Sequence, residues 1–246
     1  MWRVQSVGEF DTPREDYALF GMVSRGDGFL DSPDAEVISG GVNTKRRNAV
    51  AIGRHGNFFH WGFAASPTHL TDDAKLVLVN AIHYIAQFEG QRVLARNRPG
   101  TVLRTHLSRE IAALESGRFG DDVSQLRRYF SDESWARIDK SPQSLARLLR
   151  SVGPYFFPAD SWYSLAIDAD LKELRLPNNA PDFLERVGKL LDDAAQAELA
   201  CRVLSRYTAV RLEGPGAWKA WLEENSGRFF FSERAGYKWI VEPRQD

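Results

Sequence analysis

The most constraining feature of the chain is a pair of strand-like runs on either side of a glycine-bounded tetrapeptide. Asn48-Ala-Val-Ala-Ile52 and Asn57-Phe-Phe-His-Trp-Gly-Phe63 flank Gly53-Arg54-His55-Gly56. Glycine enters positive φ without a Cβ clash, so the tetrapeptide predicts a hairpin or tight strand connection with Arg54 and His55 at its tip. Side chains alternate along a strand, which places Phe59, Trp61 and Phe63 on one face and Phe58 and His60 on the other. With both faces carrying aromatics, both are expected to be covered. A further short strand is read at Val37-Ile38.

The next segment reads as a helix from Asp72 to Phe88. Thr71 is its N-cap, Asp72 and Asp73 complement the helix dipole, and Gly90 ends it. Its apolar stripes, Leu78, Ile82 and Ile85 beside Val77, Ala81, Tyr84 and Phe88, suit packing against a sheet. Apolar periodicity is lost across 93–101, which reads as a linker. Helical segments follow at Leu103–Leu114, Val123–Phe130, Ser144–Val152, Asp168–Leu174, Ala180–Leu191, Asp193–Tyr207 and Gly216–Glu224. Arg228–Ser232 and Tyr237–Val241 return to period two around Gly236 and predict a terminal β-hairpin. The predicted class is α+β. Residues 1–92 form a partial α/β region and 102–246 an all-helical region closed by the hairpin.

Composition removes several function classes. The 246 residues carry 32 basic and 33 acidic side chains, so no global field concentrates a polyanion and nucleic acid is not an expected partner. No apolar run approaches the roughly 18 residues of a membrane span, so no membrane partner is expected. Nothing near Met1 resembles a secretory signal, which makes the cytoplasm the default compartment, with secretion or the periplasm the alternative if an upstream export signal is missing. The single cysteine, Cys201, cannot form an internal disulfide and reads as a core thiol inside an amphipathic helix.

Candidate chemistry is sparse. Four of the five histidines are His55, His60, His69 and His83, yet none has a partner at metal-ligand spacing, so no metal or cofactor is expected. His83 reads as a core-edge residue. Ser66 near His69 does not make a nucleophile–base pair by sequence proximity alone. The acidic pairs, including Asp168 and Asp170, sit where helices begin or end and read as caps. Trp218 and Trp221 share a helix face and are expected to be buried under the terminal hairpin. The remaining cluster is basic: Arg54 and His55 at the glycine turn, with Lys45, Arg46 and Arg47 upstream. Such cations beside turn amides suit a small anionic ligand. His55 and His60 are then the candidates for a general base.

Residues Ser32–Phe88, SPDAEVISGGVNTKRRNAVAIGRHGNFFHWGFAASPTHLTDDAKLVLVNAIHYIAQF, resemble the closing segment of ThuA-like and related class I glutamine-amidotransferase-like domains. They also resemble segments of uncharacterised proteins of planctomycete-type bacteria. The first resemblance implies the remnant of a flavodoxin-like sheet, but no cysteine precedes Ser32 to serve as the amidotransferase nucleophile. Asp168–Val241 is similar to the ends of HEAT-like helical-repeat proteins, through Leu204-Ser-Arg-Tyr-Thr208, Trp218-Lys-Ala-Trp221 and the run from Ser232 to Lys238. That similarity implies scaffolding or partner binding.

Two functions are weighed on this basis. The first is a non-catalytic binding or scaffold module for a protein or a small anionic ligand, with self-association expected from an incomplete sheet's open edge. The alternative is a hydrolase- or transferase-like enzyme acting on a small anionic or carbohydrate substrate. Convergence of Arg54, His55 and His60 in one pocket would favour the enzyme, and divergence across the sheet would favour the module.

Overall fold

The structure, a computed structural model, describes residues 24–26, 29, 31–43, 46–63, 67–118, 123–130, 132–159 and 164–243. The chain is α+β and divides between Leu94 and Ala95 into two compact units.

The N-terminal unit holds a small sheet built on β3. β1 (Ser24–Arg25), β2 (Ala35–Asn43), β3 (Arg46–His55) and β4 (Phe58–Trp61) pair antiparallel, with β2 along one side of β3 and β1 and β4 along the other. A flavodoxin-like sheet is mostly parallel; this one is antiparallel at every described pairing. β3 is central because Ala49, Val50, Ala51 and Ile52 are all buried. α1 (Asp72–Ala86) lies on the sheet and starts at Thr71, whose hydroxyl accepts from Ala74 N at 3.3 Å.

The glycine tetrapeptide behaves differently from the sequence expectation. β3 runs straight through Gly53, Arg54 and His55, and the turn is the two-residue Gly56-Asn57. Gly56, at φ 57°, supplies the left-handed conformation that a two-residue hairpin loop needs. Gly53 is there for proximity: a Cβ would fall 2.5 Å from Phe29 Cε1 and 2.9 Å from the Glu36 carbonyl oxygen. Arg54 and His55 are therefore strand residues, with their side chains directed to opposite faces.

α1 packs largely as expected, with Ala81 buried and Val77, Leu78, Tyr84, Ile85 and Phe88 half-buried, but its outer side is unusual. Small side chains, Ala74 and Ala81, are buried, while Leu76, Val79 and Ile82 point outward at 50–64% exposure. Ile82 and His83 are exposed, against the reading of the first as a packing residue and the second as a core-edge residue. A 15-residue helix carrying large apolar groups on its outer face lacks the single apolar stripe of an ordinary surface helix.

The C-terminal unit contains α2 (Arg104–Glu115), α3 (Asp132–Arg137), α4 (Pro142–Val152), α5 (Ala169–Glu173), α6 (Phe183–Leu190), α7 (Ala197–Tyr207) and α8 (Gly214–Glu224). Val123–Phe130, read as a helix, is a 3-10 segment at Ser124–Tyr129. The region is not all-helical before its terminal hairpin: β5 (Phe156–Pro158) and β6 (Leu165–Ile167) form a second hairpin. Three-residue strands offer too few alternations to stand out from their surroundings in sequence. The terminal hairpin pairs β7 (Phe229–Ser232) with β8 (Lys238–Val241).

Two apolar clusters hold this unit. One joins α2, α4 and the β5–β6 hairpin through Leu107, Leu126, Leu145, Leu149 and Phe156. The other joins α5 to α8 and the terminal hairpin. In α7, Ala200, Val203, Leu204 and Tyr207 are buried at the three- and four-residue spacing of one helical face. Trp218 is fully buried, stands edge-on to Trp221 at 5.7 Å, and Trp221 in turn meets Phe229 of the hairpin at 5.1 Å. The segment read as a linker is tied in at its C-terminal part: Ala95 is buried and Arg98 N donates to Arg234 O at 2.7 Å.

Polar groups buried in this unit are chained together. Asp168 caps α5 through Leu171 N at 3.1 Å and also accepts from Tyr207 Oη at 2.8 Å and Arg206 Nη1 at 2.5 Å. Burial and the Asp168 carboxylate push the Tyr207 phenol well above its usual value. Asn178 donates to Phe156 O at 2.7 Å and accepts from Arg104, while Arg104 also pairs with Glu233 at 2.7 Å. Trp239 Nε1 donates to Asn178 O at 2.9 Å. These bonds fix the hairpin on the helices, because a buried donor left unmet costs about 1–3 kcal/mol.

Candidate functional site

Residues on paired strands point to the same face, so the register of the N-terminal unit decides which candidate side chains meet. Arg54 lies opposite Glu36 on β2 and Phe59 on β4. His60 lies opposite Gly53, and His55 opposite Phe58. Arg54 therefore faces α1, and both histidines face the other side of the sheet.

On the α1 side, Glu36 accepts from Arg54 Nε at 3.3 Å and from the Tyr84 hydroxyl. Arg54 Nη1 also donates to Gly56 O at 3.0 Å, and its guanidinium stacks 3.9 Å over the Phe88 ring. The arginine that the sequence offered as an anion ligand is thus engaged by a carboxylate, a carbonyl and an aromatic ring. Burial, then the hydrogen bond to Glu36, raises the Tyr84 phenol above its ordinary value, so it is a hydrogen-bond donor at neutral pH. Beside this cluster is an open cavity of about 220 Å³, with Ile38, Ile52, Phe59 and Val77 in its walls and Glu36 and Tyr84 at its edge.

On the opposite side, His55 Nε2 lies 3.4 Å from Asp34 Oδ1 but has no hydrogen-bond partner among the described residues. Asp34 instead receives the Ser32 hydroxyl and Leu94 N, the latter at 3.0 Å, which braces the entrance to β2. His60 Nε2 is likewise buried without a partner among the described residues, its ring 6.3 Å from Phe29. Among the described residues neither histidine is hydrogen-bonded through Nε2 to a nucleophile. Among the described residues no group of three metal-ligating side chains occurs, and no helix is long and apolar enough to cross a membrane.

The basic set is not gathered either. Arg46 begins β3 and Arg54 nearly ends it, eight positions along an extended strand or about 26 Å. Lys45, Ser66 and the side chains of Arg46 and His69 lie outside the described residues. Sequence reasoning missed Glu36 and Tyr84, which are 18 and 30 positions from Arg54. Their meeting depends on the β2 register and the docking of α1, for which the local pattern carries no signal.

Comparison with known protein families, with characterised proteins and with solved structures gave no match. The site's own geometry is the basis for a functional reading.

Proposed function

We propose that the protein is a non-catalytic binding module that docks another apolar protein surface on the α1 side of its N-terminal unit. The observation that carries this is where large apolar side chains stand exposed. On the α1 side Ile38, Leu76, Val79 and Ile82 stand exposed, whereas among the described residues of the other unit the exposed large apolar side chain is Ile167. Leu76, Val79 and Ile82, spaced three residues apart, share one side of the helix, and an exposed apolar stripe of this kind marks interaction sites in soluble proteins. α1 turns Leu76, Val79 and Ile82 outward, and the cavity beside Tyr84 offers a socket for an apolar anchor with a polar edge.

The divergence of Arg54 from His55 and His60 supports a module over a hydrolase or transferase, since general-base chemistry on a bound anion needs those groups on one side. The HEAT-like similarity of the helical unit adds a scaffold role.

The partner always at hand is a second copy of the chain, and sedimentation equilibrium of the full chain measures it. Reversible association is expected, abolished by Leu76→Asp with Ile82→Asp while the unfolding transition is preserved. A wild-type chain that stays monomeric at every concentration, or a hydrolytic or transferase activity lost on His55→Ala or His60→Ala, overturns the reading.

A further inference from the structure

The cavity beside α1 is apolar on most sides and polar along one edge. Ile38 of β2, Ile52 of β3, Phe59 of β4 and Val77 and Ala81 of α1 form its apolar walls. Its volume of about 220 Å³ exceeds the roughly 150 Å³ that holds benzene in an apolar cavity. A single ring or a short alkyl chain therefore fits. Glu36, Asn80 and Tyr84 make the polar edge.

The hydrogen bonds already made at that edge leave it rich in acceptors. Glu36 receives Arg54 Nε at 3.3 Å and the Tyr84 hydroxyl, both on Oε2. Its Oε1 accepts no hydrogen bond among the described residues, although each carboxylate oxygen has room for two. The proton of Tyr84 is committed to Glu36. Arg54 lines no part of the cavity, because its guanidinium lies over Phe88 and donates to Gly56 O. An anion entering here would meet the Glu36 carboxylate with only the Asn80 amide to donate to it. An ammonium brings three donors and the opposite charge, and finds Glu36 Oε1 and Asn80 Oδ1 as acceptors.

We propose that this cavity binds a small apolar primary amine, free in solution, with its ring or alkyl body between Ile52, Phe59 and Val77 and its ammonium on Glu36. The inference rests on the reading of the cavity as a socket and names what enters it. Leu76, Val79 and Ile82 line no part of the cavity, so docking and amine binding are separable.

Isothermal titration of the full chain with phenethylamine and hexylamine at about pH 7, where both are protonated, tests the site against phenylacetate and 2-phenylethanol. Saturable binding of the amines is expected, with 2-phenylethanol at least about tenfold weaker and phenylacetate weaker still, as loss of a charge-assisted hydrogen bond predicts. Glu36→Gln is expected to weaken amine binding by about tenfold as well. Glutamine keeps an oxygen for Arg54 and Tyr84, and thermal unfolding of the variant checks that the sheet is intact. A chain that binds the amines without self-associating overturns the docking reading alone, and one that self-associates but binds neither amine overturns this inference alone. The inference also falls if phenylacetate binds as tightly as phenethylamine, if amine affinity is unchanged in Glu36→Gln, or if Nα-acetyl-lysine amide binds more tightly than phenethylamine, which assigns the socket to a lysine side chain of a partner.

Discussion

Removing the Asp168 carboxylate is the sharpest test of how the C-terminal unit is held together. Its side chain is fully buried and bonds to Leu171 N, Tyr207 Oη and Arg206 Nη1. Asp168→Ala deletes a helix cap, about 1 kcal/mol, and leaves the buried Tyr207 hydroxyl without its acceptor, about 1–3 kcal/mol. Arg206 is 28% exposed and keeps Asp170 at 3.2 Å, so the stranded cation is partly answered. The expected loss is about 3 kcal/mol. Asp168→Asn retains an oxygen for Leu171 N and for Tyr207 and forfeits mainly the charge toward Arg206, so a loss of about 1–2 kcal/mol is expected. Urea unfolding of the full chain, followed by tryptophan fluorescence, measures both, since Trp218 and Trp239 lie in the affected core. Equal losses in the two variants, or a loss under about 0.5 kcal/mol for Asp168→Ala, the range of ordinary surface changes, would refute the account of Asp168 as a buried hub.

Two further outcomes follow from single contacts. Gly53→Ala places a Cβ 2.9 Å from the Glu36 carbonyl oxygen, which as backbone cannot swing aside; a loss of about 1–3 kcal/mol is expected in thermal unfolding, as for overpacked cores. The hydrogen bond from Arg202 holds the Asp170 carboxyl below its ordinary range. Its folded-state pKa being depressed, Asp170 contributes fully above the unfolded value of about 3.9, and that contribution is lost as pH falls through the lower folded value. Asp170→Asn is therefore expected to flatten the acid limb of stability below about pH 5, and an unchanged limb in a pH series of urea midpoints contradicts it.

Legibility in the sequence followed the range of the interaction. The capping of α1 by Thr71, the apolar face of α7 and the burial of Trp218 could be read from residues within one or two helical turns. The glycine tetrapeptide was misread because a glycine required by a neighbour looks the same in sequence as one required by a turn. Gly56 makes the turn, and Gly53 makes room for Phe29 and the β2 backbone. In α1 the stripe of Val77, Ala81, Tyr84 and Phe88 that meets the sheet was legible, and the exposure of Ile82 was not. Ile82 lies beside that stripe, and periodicity does not say how wide a band the sheet covers.

By itself the sequence determined the local half of this protein: the strand alternation around Arg54, the helix starts, the terminal hairpin, and the lack of any spaced ligand or nucleophile set. Only the tertiary structure decided that Arg54 meets Glu36 and Tyr84 while His55 and His60 face away, and that Asp168 gathers Leu171, Arg206 and Tyr207. The physical reason is that alternation and helical periodicity fix which side of an element a residue occupies. Strand register and helix docking, set by burial summed over the whole chain, fix what stands opposite it.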